Sequence, residues 1–441
     1  MANFFKESSK KPLSQKKATI TVNRLDPQGC GVATMGKKPI FIEGVLPNEI
    51  AEVNIYQQNS KYAKAKLIKL VTVSSDRADV KCGHYYQCGG CNLQHMQYLP
   101  QLAFKQAQVA QLLSRQLPNV NLPWQLAITD DAWHYRRKAR IGVQYNKKGD
   151  PIIGFRQRES NKLTEIKSCP ILVTDFTDIF IQLREILPRV SGKNAIGHIE
   201  IVAANNNAIV VRQLSTITKK DQQLWQEFRQ KNKYEIYIDD GKQVKPLLPE
   251  ITDNTLSYSL NDKLVIEFSV DNFIQVNHKI NKKMLEQAMA WLNLQPNDVV
   301  LDLFCGLGNF TLPIAQQVAK VVGIEGVQDM VERAQANAKS NGLDNCQFYQ
   351  ADLNNDWKNH DWALNKYSKA LLDPARAGAY EALTQLVKSK IAILLYVSCD
   401  ATSLARDAKL LIEHGYKIEK IAIIDMFSQT RHVETMIMFS L

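Results

Sequence analysis

The chain reads as a multidomain protein with three consecutive folds: an N-terminal β-barrel, a central α+β domain and a C-terminal α/β domain of Rossmann-like type. Three observations predict this. Residues 18–70 are short runs of alternating apolar and polar residues broken by Pro27, Gly29, Gly31, Gly36 and Pro47, the pattern of a small all-β unit. Residues 125–260 are β-rich and mixed, with the strand pair HIEIVAANNNAIVVRQL at 198–214. From about Val270 to the end, apolar strands alternate with helical patterns, which predicts βαβ units and a parallel sheet.

With 441 residues the chain is long enough for two or three domains with substantial cores. Its 45% hydrophobic and 22% charged composition is that of an ordinary soluble protein. No apolar run approaches the roughly 18 residues needed to cross a bilayer. The first residues, MANFFKESSKKPLSQKK, are basic without the apolar core of a secretory signal. The expectation is a monomeric cytoplasmic protein with no membrane partner. A net charge of +11 favours a polyanion such as nucleic acid.

The expected segments are a basic arm (1–17), the barrel (18–70), the central domain (71–265) and the C-terminal domain (266–441). In the barrel, Lys61, Lys64, Lys66 and Lys69 decorate the last predicted strand, and small barrels with basic faces often bind nucleic acid; the competing reading is a barrel that only solubilises the chain. The stretch LPQLAFKQAQVAQLLSRQL has apolar residues at three-to-four spacing. It predicts a helix over 99–117, a candidate to pack on the C-terminal domain. In WHYRRKARIGV, Arg136, Arg137, Lys138 and Arg140 interleave with Trp133 and Tyr135. Arginines pair with phosphates and aromatics stack on unpaired bases; the competing reading is a charged, solvated strand face.

Eight cysteines in a chain of this kind suggest metal or catalysis before disulfides. Cys82, Cys88 and Cys91 give C-x5-C-x2-C, with Cys169 in KSCP a plausible distant fourth. Four thiolates can hold zinc or an iron–sulfur cluster. Zinc sites more often use two C-x2-C pairs, so the cluster leads. Cys30, Cys305 and Cys346 read as structural.

In DVVLDLFCGLGNFTLPIA an apolar strand ends at Asp302, turns through Gly306 and Gly308, and enters a helix. Glycines there let a ligand approach the carboxyl edge of a parallel sheet. The next strand, KVVGIEGV, ends in Glu325, placed to accept from both hydroxyls of a ribose. The third, CQFYQADL, ends in Asp352, at the level of an adenine. Such a ladder of acids is how S-adenosyl-L-methionine sites are built. A fourth strand ends in Asp373–Pro374 of KALLDPARAG. Amino-methylating enzymes place a polar–Pro–Pro–aromatic tetrad here; Asp-Pro-Ala-Arg argues instead for a ring carbon as acceptor.

Cys399 closes the apolar run ILLYVSC and precedes a polar turn. A lone cysteine there is more often an inert buried thiol, but its neighbours point to chemistry. C5 of a pyrimidine is too weak a nucleophile to take a methyl group. A thiolate adding to C6 makes it an enolate that can, and a base must then remove the C5 proton. Glu434, in FSQTRHVETMIMF, is the candidate base.

FIQVN (273–277), DLFCGLGNF, LLDPAR, SCD and QTRHVE occur in the order found in the RNA uracil-C5 methyltransferases, and the chain resembles that family from the barrel to its end. The resemblance implies an OB-like TRAM domain in the barrel, an iron–sulfur central domain built on KCGHYYQCGGCNLQH, and a C-terminal S-adenosylmethionine-dependent methyltransferase. It implies Cys399 as nucleophile and Glu434 as base. Gln275, Phe304, Asn309, Glu325, Asp352 and Asp373 would contact the cofactor or the methyl–uracil junction. Cys82, Cys88, Cys91 and Cys169 would bind a [4Fe-4S] cluster, and a looped or single-stranded uracil of 23S ribosomal RNA would be the substrate. Two other readings stay open: the same chemistry on transfer RNA or at two ribosomal sites, and a non-catalytic RNA-binding iron–sulfur protein.

Overall fold

The computed structural model describes residues 16–248 and 255–441. The basic arm expected at 1–17 therefore lies outside the described residues except for Lys16 and Lys17, which open the first strand. Packing divides the chain into two compact units. One comprises Met1–Tyr86, Cys91–Gln101 and Gln429–Arg431; the other comprises Gln87–Gly90, Leu102–Ser428 and His432–Leu441.

The first unit is built on β1 (Lys16–Thr21), β2 (Arg24–Leu25), β3 (Gly31–Met35), β4 (Lys38–Glu43), β5 (Ile50–Gln58) and β6 (Ala63–Thr72), in the order β1-β5-β6-β4-β3-β2. Alternation sends Ala51, Val53 and Ile55 of β5 inward, with Ile40 and Ile42 of β4 and Ala63 and Ala65 of β6. Three register shifts along the β5–β6 pair bend the sheet around this core. Just before β5, the buried carboxylate of Glu49 accepts from Arg77 Nε and Nη2 at 2.6 and 2.7 Å and from the amides of Leu46 and Ser74. Those bonds outweigh burial and hold its pKa below the ordinary value.

Helix α1 (Tyr98–Gln116) leads to a seven-stranded sheet: β7 (Lys138–Tyr145), β8 (Pro151–Arg156), β9 (Leu163–Glu165), β10 (Ile196–Val202), β11 (Ala208–Gln213), β12 (Glu235–Asp239) and β13 (Val244–Pro246). Their order is β13-β12-β11-β10-β7-β8-β9. Helices α2 (Ile179–Ile186) and α3 (Lys219–Asn232) bring Phe180, Leu183, Trp225 and Phe228 onto the face carrying Ile141, Ile199, Ile209 and Val211. A hairpin of β14 (Leu256–Ser259) and β15 (Val265–Phe268) follows.

The C-terminal sheet contains β16 (Val299–Leu303), β17 (Lys320–Glu325), β18 (Cys346–Gln350), β19 (Lys369–Leu372), β20 (Ile393–Ser398), β21 (Lys417–Ile424) and β22 (Glu434–Ser440). The order is β18-β17-β16-β19-β20-β22-β21. Strands β16 to β20 are mutually parallel, and β22 inserts antiparallel between β20 and β21. Helices α4 (His278–Leu292) and α5 (Thr311–Ala315) contribute to the core on one face. Residues of α7 (Tyr380–Leu386) and α8 (Ala401–Glu413), with Val109 and Leu113 of α1 and Leu117 beyond it, fill the other. Helix α6 is Gln328–Ser340. The result is the doubly wound α/β architecture expected from the alternating pattern.

Packing draws its boundaries differently from the sequence segments. No division falls at 265/266, because Val202, Ala208 and Val210 of the central sheet share one core with Tyr258, Val300, Leu395 and Met436. Most of residues 71–101 belongs with the barrel. No helix among the described residues is long and apolar enough to cross a membrane.

Candidate active site

The site is assembled where the parallel strands end. Leu303 of β16 registers with Ile324 of β17 and Leu372 of β19, and Leu372 with Tyr396 of β20. The residues just past those positions therefore share one edge. After β16 the chain turns sharply: Phe304 has φ +64°, and Gly306 and Gly308 have φ +55° and +92°. The glycines adopt this left-handed region without cost, whereas Phe304 is strained in it, as backbone at ligand sites often is. Asp302, fully buried, accepts from Thr311 Oγ1 at 2.5 Å through Oδ2, while Oδ1 has no partner. Burial pushes its carboxyl up to about 7, with Asp373 and Glu325 adding to the shift.

Glu325 ends β17, and its carboxylate binds three amides: Gly306 donates to Oε2 at 3.1 Å, and Gly326 and Val327 donate to Oε1 at 2.8 and 3.1 Å. It thereby ties the glycine turn to the second strand. Asn309 exchanges two hydrogen bonds with the buried Asn281 of α4, at 2.9 and 3.0 Å. Asp352, past β18, is exposed and accepts from Asn354 and Asn355. Gln275 is buried, and its carbonyl accepts from Arg137 Nε at 2.7 Å.

The reactive candidates stand on the next three strands. Asp373 follows β19, and its surroundings push its carboxyl up to about 7. Cys399 follows β20 and is half-buried; Asp400 caps α8 immediately after it, accepting from Thr402 and Ser403. Glu434 is the first residue of β22, and the register Ser398↔Thr435 brings it to the Cys399 end of β20. The residue is 6% exposed, and its buried Oε2 has no hydrogen-bond partner. Burial, then the charge of Asp373, pushes it up to about 8. The Cys399 thiol is raised to about 11 by burial, then by Glu434 and Asp373, with Arg376 opposing them. The Cys399 thiol and the carboxyl groups of Glu434 and Asp373 thus lie within electrostatic reach of one another. The two buried acceptor atoms without partners, Asp302 Oδ1 and Glu434 Oε2, suit a site that takes a donor-bearing or cationic ligand.

The chain matches the tRNA (Uracil-5-)-methyltransferase family over residues 97–440. It belongs to this family of RNA uracil-C5 methyltransferases. A TRAM domain matches at residues 15–68, over the predicted barrel. The chain is 48% identical to the 23S rRNA (uracil(1939)-C(5))-methyltransferase RlmD of Colwellia psychrerythraea, covering 100% of this chain and 99% of the relative. It is 42% identical to RlmD of Shewanella sediminis, with 100% of both chains covered. Among solved structures, the Pyrococcus abyssi tRNA (uracil-54, C5)-methyltransferase in complex with S-adenosyl-L-homocysteine shares the fold, with a TM-score of 0.74 at 21% identity over 96% of this chain and 99% of that one. The family expected from the motifs is therefore correct, and the chain is an S-adenosylmethionine-dependent methyltransferase with an N-terminal TRAM domain.

The basic run needs correcting. Arg137 is 3% exposed, and its guanidinium lies 4.0 Å from the centroid of the Tyr258 ring. Lys138 Nζ donates to the carbonyls of Val270 and Asn272, both at 2.8 Å. Tyr135 is buried, with its hydroxyl on the Ser428 carbonyl. These three side chains brace the segment around FIQVN and the loop before Glu434, leaving Arg140 as the exposed member, beside Glu200. Arg137, just before β7, and Lys138, its first residue, thus turn to backbone carbonyls of residues 270–275, while Arg140 stays at the surface. On the barrel, Lys61, Lys66 and Lys69 are exposed, Lys66 lying 5.7 Å from the Tyr56 ring centroid and Lys69 pairing with Glu52.

Of the four thiols expected to hold a cluster, Cys88 and Cys91 are buried and Cys82 and Cys169 half-buried. Cys82 and Cys91 belong to the first compact unit, Cys88 and Cys169 to the second. Among the described residues, no group of three His, Cys, Asp or Glu side chains stands close enough to hold a metal ion. The donor chemistry nevertheless suits one. The Gly90 amide donates to Cys88 Sγ at 3.4 Å, and a Cβ on Gly90 would sit 3.4 Å from that sulfur. An amide donating to a cysteine sulfur is a feature that iron–sulfur ligation uses.

Sequence reasoning missed Asn281, Thr311, Arg137 in its supporting role, and Lys105. The last had a visible signal: Lys105 lies four residues before Val109 and eight before Leu113, on the buried stripe of α1.

Proposed function

We propose that this enzyme transfers a methyl group from S-adenosylmethionine to C5 of a uracil in 23S ribosomal RNA, at the position 1939 carried in its relatives' names, through a covalent adduct between Cys399 and C6. The observation that carries this reading is the pairing of β20 with β22, which sets Cys399 and Glu434 at one end of adjacent strands with Asp373 near both. The Cys399 thiol loses its proton to solvent and adds as thiolate to C6, making C5 nucleophilic. S-Adenosylmethionine would supply the methyl group as an electrophilic sulfonium, its S–CH3 bond breaking as the C5–CH3 bond forms and S-adenosylhomocysteine leaving. Glu434 takes the C5 proton, and the electrons released expel Cys399 from C6. Gln275, Phe304, Asn309, Glu325, Asp352 and Asp373 are proposed to hold the cofactor and orient the uracil. The TRAM domain and its lysines are proposed to bind RNA backbone, and the enzyme to act as a cytoplasmic monomer.

A strain lacking this chain should lose one 5-methyluridine from 23S RNA when its RNA is mapped, and the wild-type gene should restore it. Loss from transfer RNA instead would favour the other substrate.

A [4Fe-4S] cluster on Cys82, Cys88, Cys91 and Cys169 is part of the same proposal. Methyl transfer needs no electron, so its role is to hold its part of the chain in shape. Protein purified without oxygen should be brown and carry about four irons per chain. Serine at any of the four should bleach it, since a hydroxyl ligates iron poorly; serine at Cys30, Cys305 or Cys346 should not. A colourless protein with one zinc would replace the cluster and leave the methyl transfer standing.

A further inference from the structure

We infer that the buried Lys105–Asp425 pair is a positioning device for Glu434, setting the loop that delivers the carboxyl to the reacting base; this rests on the covalent mechanism proposed above. Lys105 and Asp425 are each about 1% exposed. Lys105 Nζ lies 2.5 Å from Asp425 Oδ1 and donates to the Phe427 carbonyl at 3.1 Å. Ser428 Oγ donates to Asp425 Oδ2 at 2.5 Å, and Tyr135 donates to the Ser428 carbonyl at 2.9 Å. The loop is therefore tied at Asp425, Phe427 and Ser428.

Two features connect these ties to Glu434. Asp425 directly follows Ile424, the residue registered opposite Glu434 across β21 and β22. The intervening turn passes through Gln429 at φ +66°, a conformation costly for a side-chain-bearing residue. Glu434 Oε2, in turn, has no hydrogen-bond partner, so the direction of that oxygen depends on where the strand begins. Stability alone does not call for such a pair, since replacing a buried ion pair by apolar side chains of similar volume is often neutral or stabilising. Lys105 and Asp425 hold backbone in register, and neither needs to touch substrate.

The test uses the full-length protein with Lys105→Met/Asp425→Leu, which removes both charges together, and with Ser428→Ala, a milder change. Both should bind S-adenosylmethionine as wild type does and form the denaturation-resistant adduct with 5-fluorouridine RNA, because attack precedes proton removal. On ordinary RNA the double variant should turn over about 100-fold more slowly, the loss that misplacement by about 1 Å can cause. A methylated covalent adduct should accumulate, which a general packing defect would not produce. Ser428→Ala should move the same way by about tenfold, and it decides the matter alone if the double variant does not fold. Wild-type turnover in the folded variants would overturn the inference. So would loss of cofactor binding and of the fluorouridine adduct together. If wild type itself forms no fluorouridine adduct, the covalent mechanism falls and takes this inference with it.

Discussion

Cys399→Ala is expected to lower turnover by about 10,000-fold or more, the scale on which enzymes lose a covalent nucleophile, while S-adenosylmethionine binding persists. The separation follows from position. Cys399 lies past β20, whereas Phe304 and Asn309 follow β16, Glu325 ends β17 and Asp352 lies past β18. Alanine removes one half-buried sulfur and leaves the strand, the cap at Asp400 and the glycine turn intact, so the fold should survive. Wild-type enzyme on 5-fluorouridine RNA should become trapped as a covalent adduct, since fluorine cannot leave C5 as a proton does. The alanine variant should give none. An adduct that persists in the variant would remove Cys399 from its role and point to another nucleophile.

Much of this site was legible because parallel sheets put their ligand-facing residues immediately after each strand. A run such as KVVGIE states both the strand and the acid that ends it. What the sequence did not reveal depends on pairing between distant segments. Nothing local in QTRHVE says that β22 runs antiparallel against β20 and so brings Glu434 to Cys399; the motif order of a known family supplied that link. The same limit explains the error over Arg137 and Lys138. Composition reads a basic, aromatic strand as a phosphate-binding face, but Arg137 and Lys138 turn to backbone carbonyls of residues 270–275. The expected boundary at 265/266 failed to coincide with packing for a related reason: the end of the central sheet and hairpin β14–β15 contribute to the core of the C-terminal sheet.

Glu434→Gln is expected to retain nucleophilic attack and methyl transfer but to lose proton removal, slowing turnover by about 100- to 10,000-fold, the range general bases contribute. Because the amide is close in shape, a methylated covalent adduct should accumulate on ordinary RNA and be visible as protein that stays with RNA after denaturation. The pH dependence tests the same carboxyl. Glu434 must be ionised to accept the C5 proton, and burial with the neighbouring Asp373 raises it to about 8. Wild-type turnover should therefore rise as pH climbs through that value, and the part of the rise due to Glu434 should vanish in the glutamine variant. Stability should run the opposite way. A carboxyl whose pKa is higher folded than unfolded favours the fold while protonated, and that contribution is lost as pH rises from about 4.5 through about 8. Asp302 and Asp373, each raised to about 7, act with the same sign. Melting of the cofactor-free enzyme should thus move to lower temperature between pH 5 and pH 9, less steeply in the glutamine variant. Near wild-type turnover with no adduct would exclude Glu434 as the base and make Asp373, the other carboxyl acting on Cys399, the next to test.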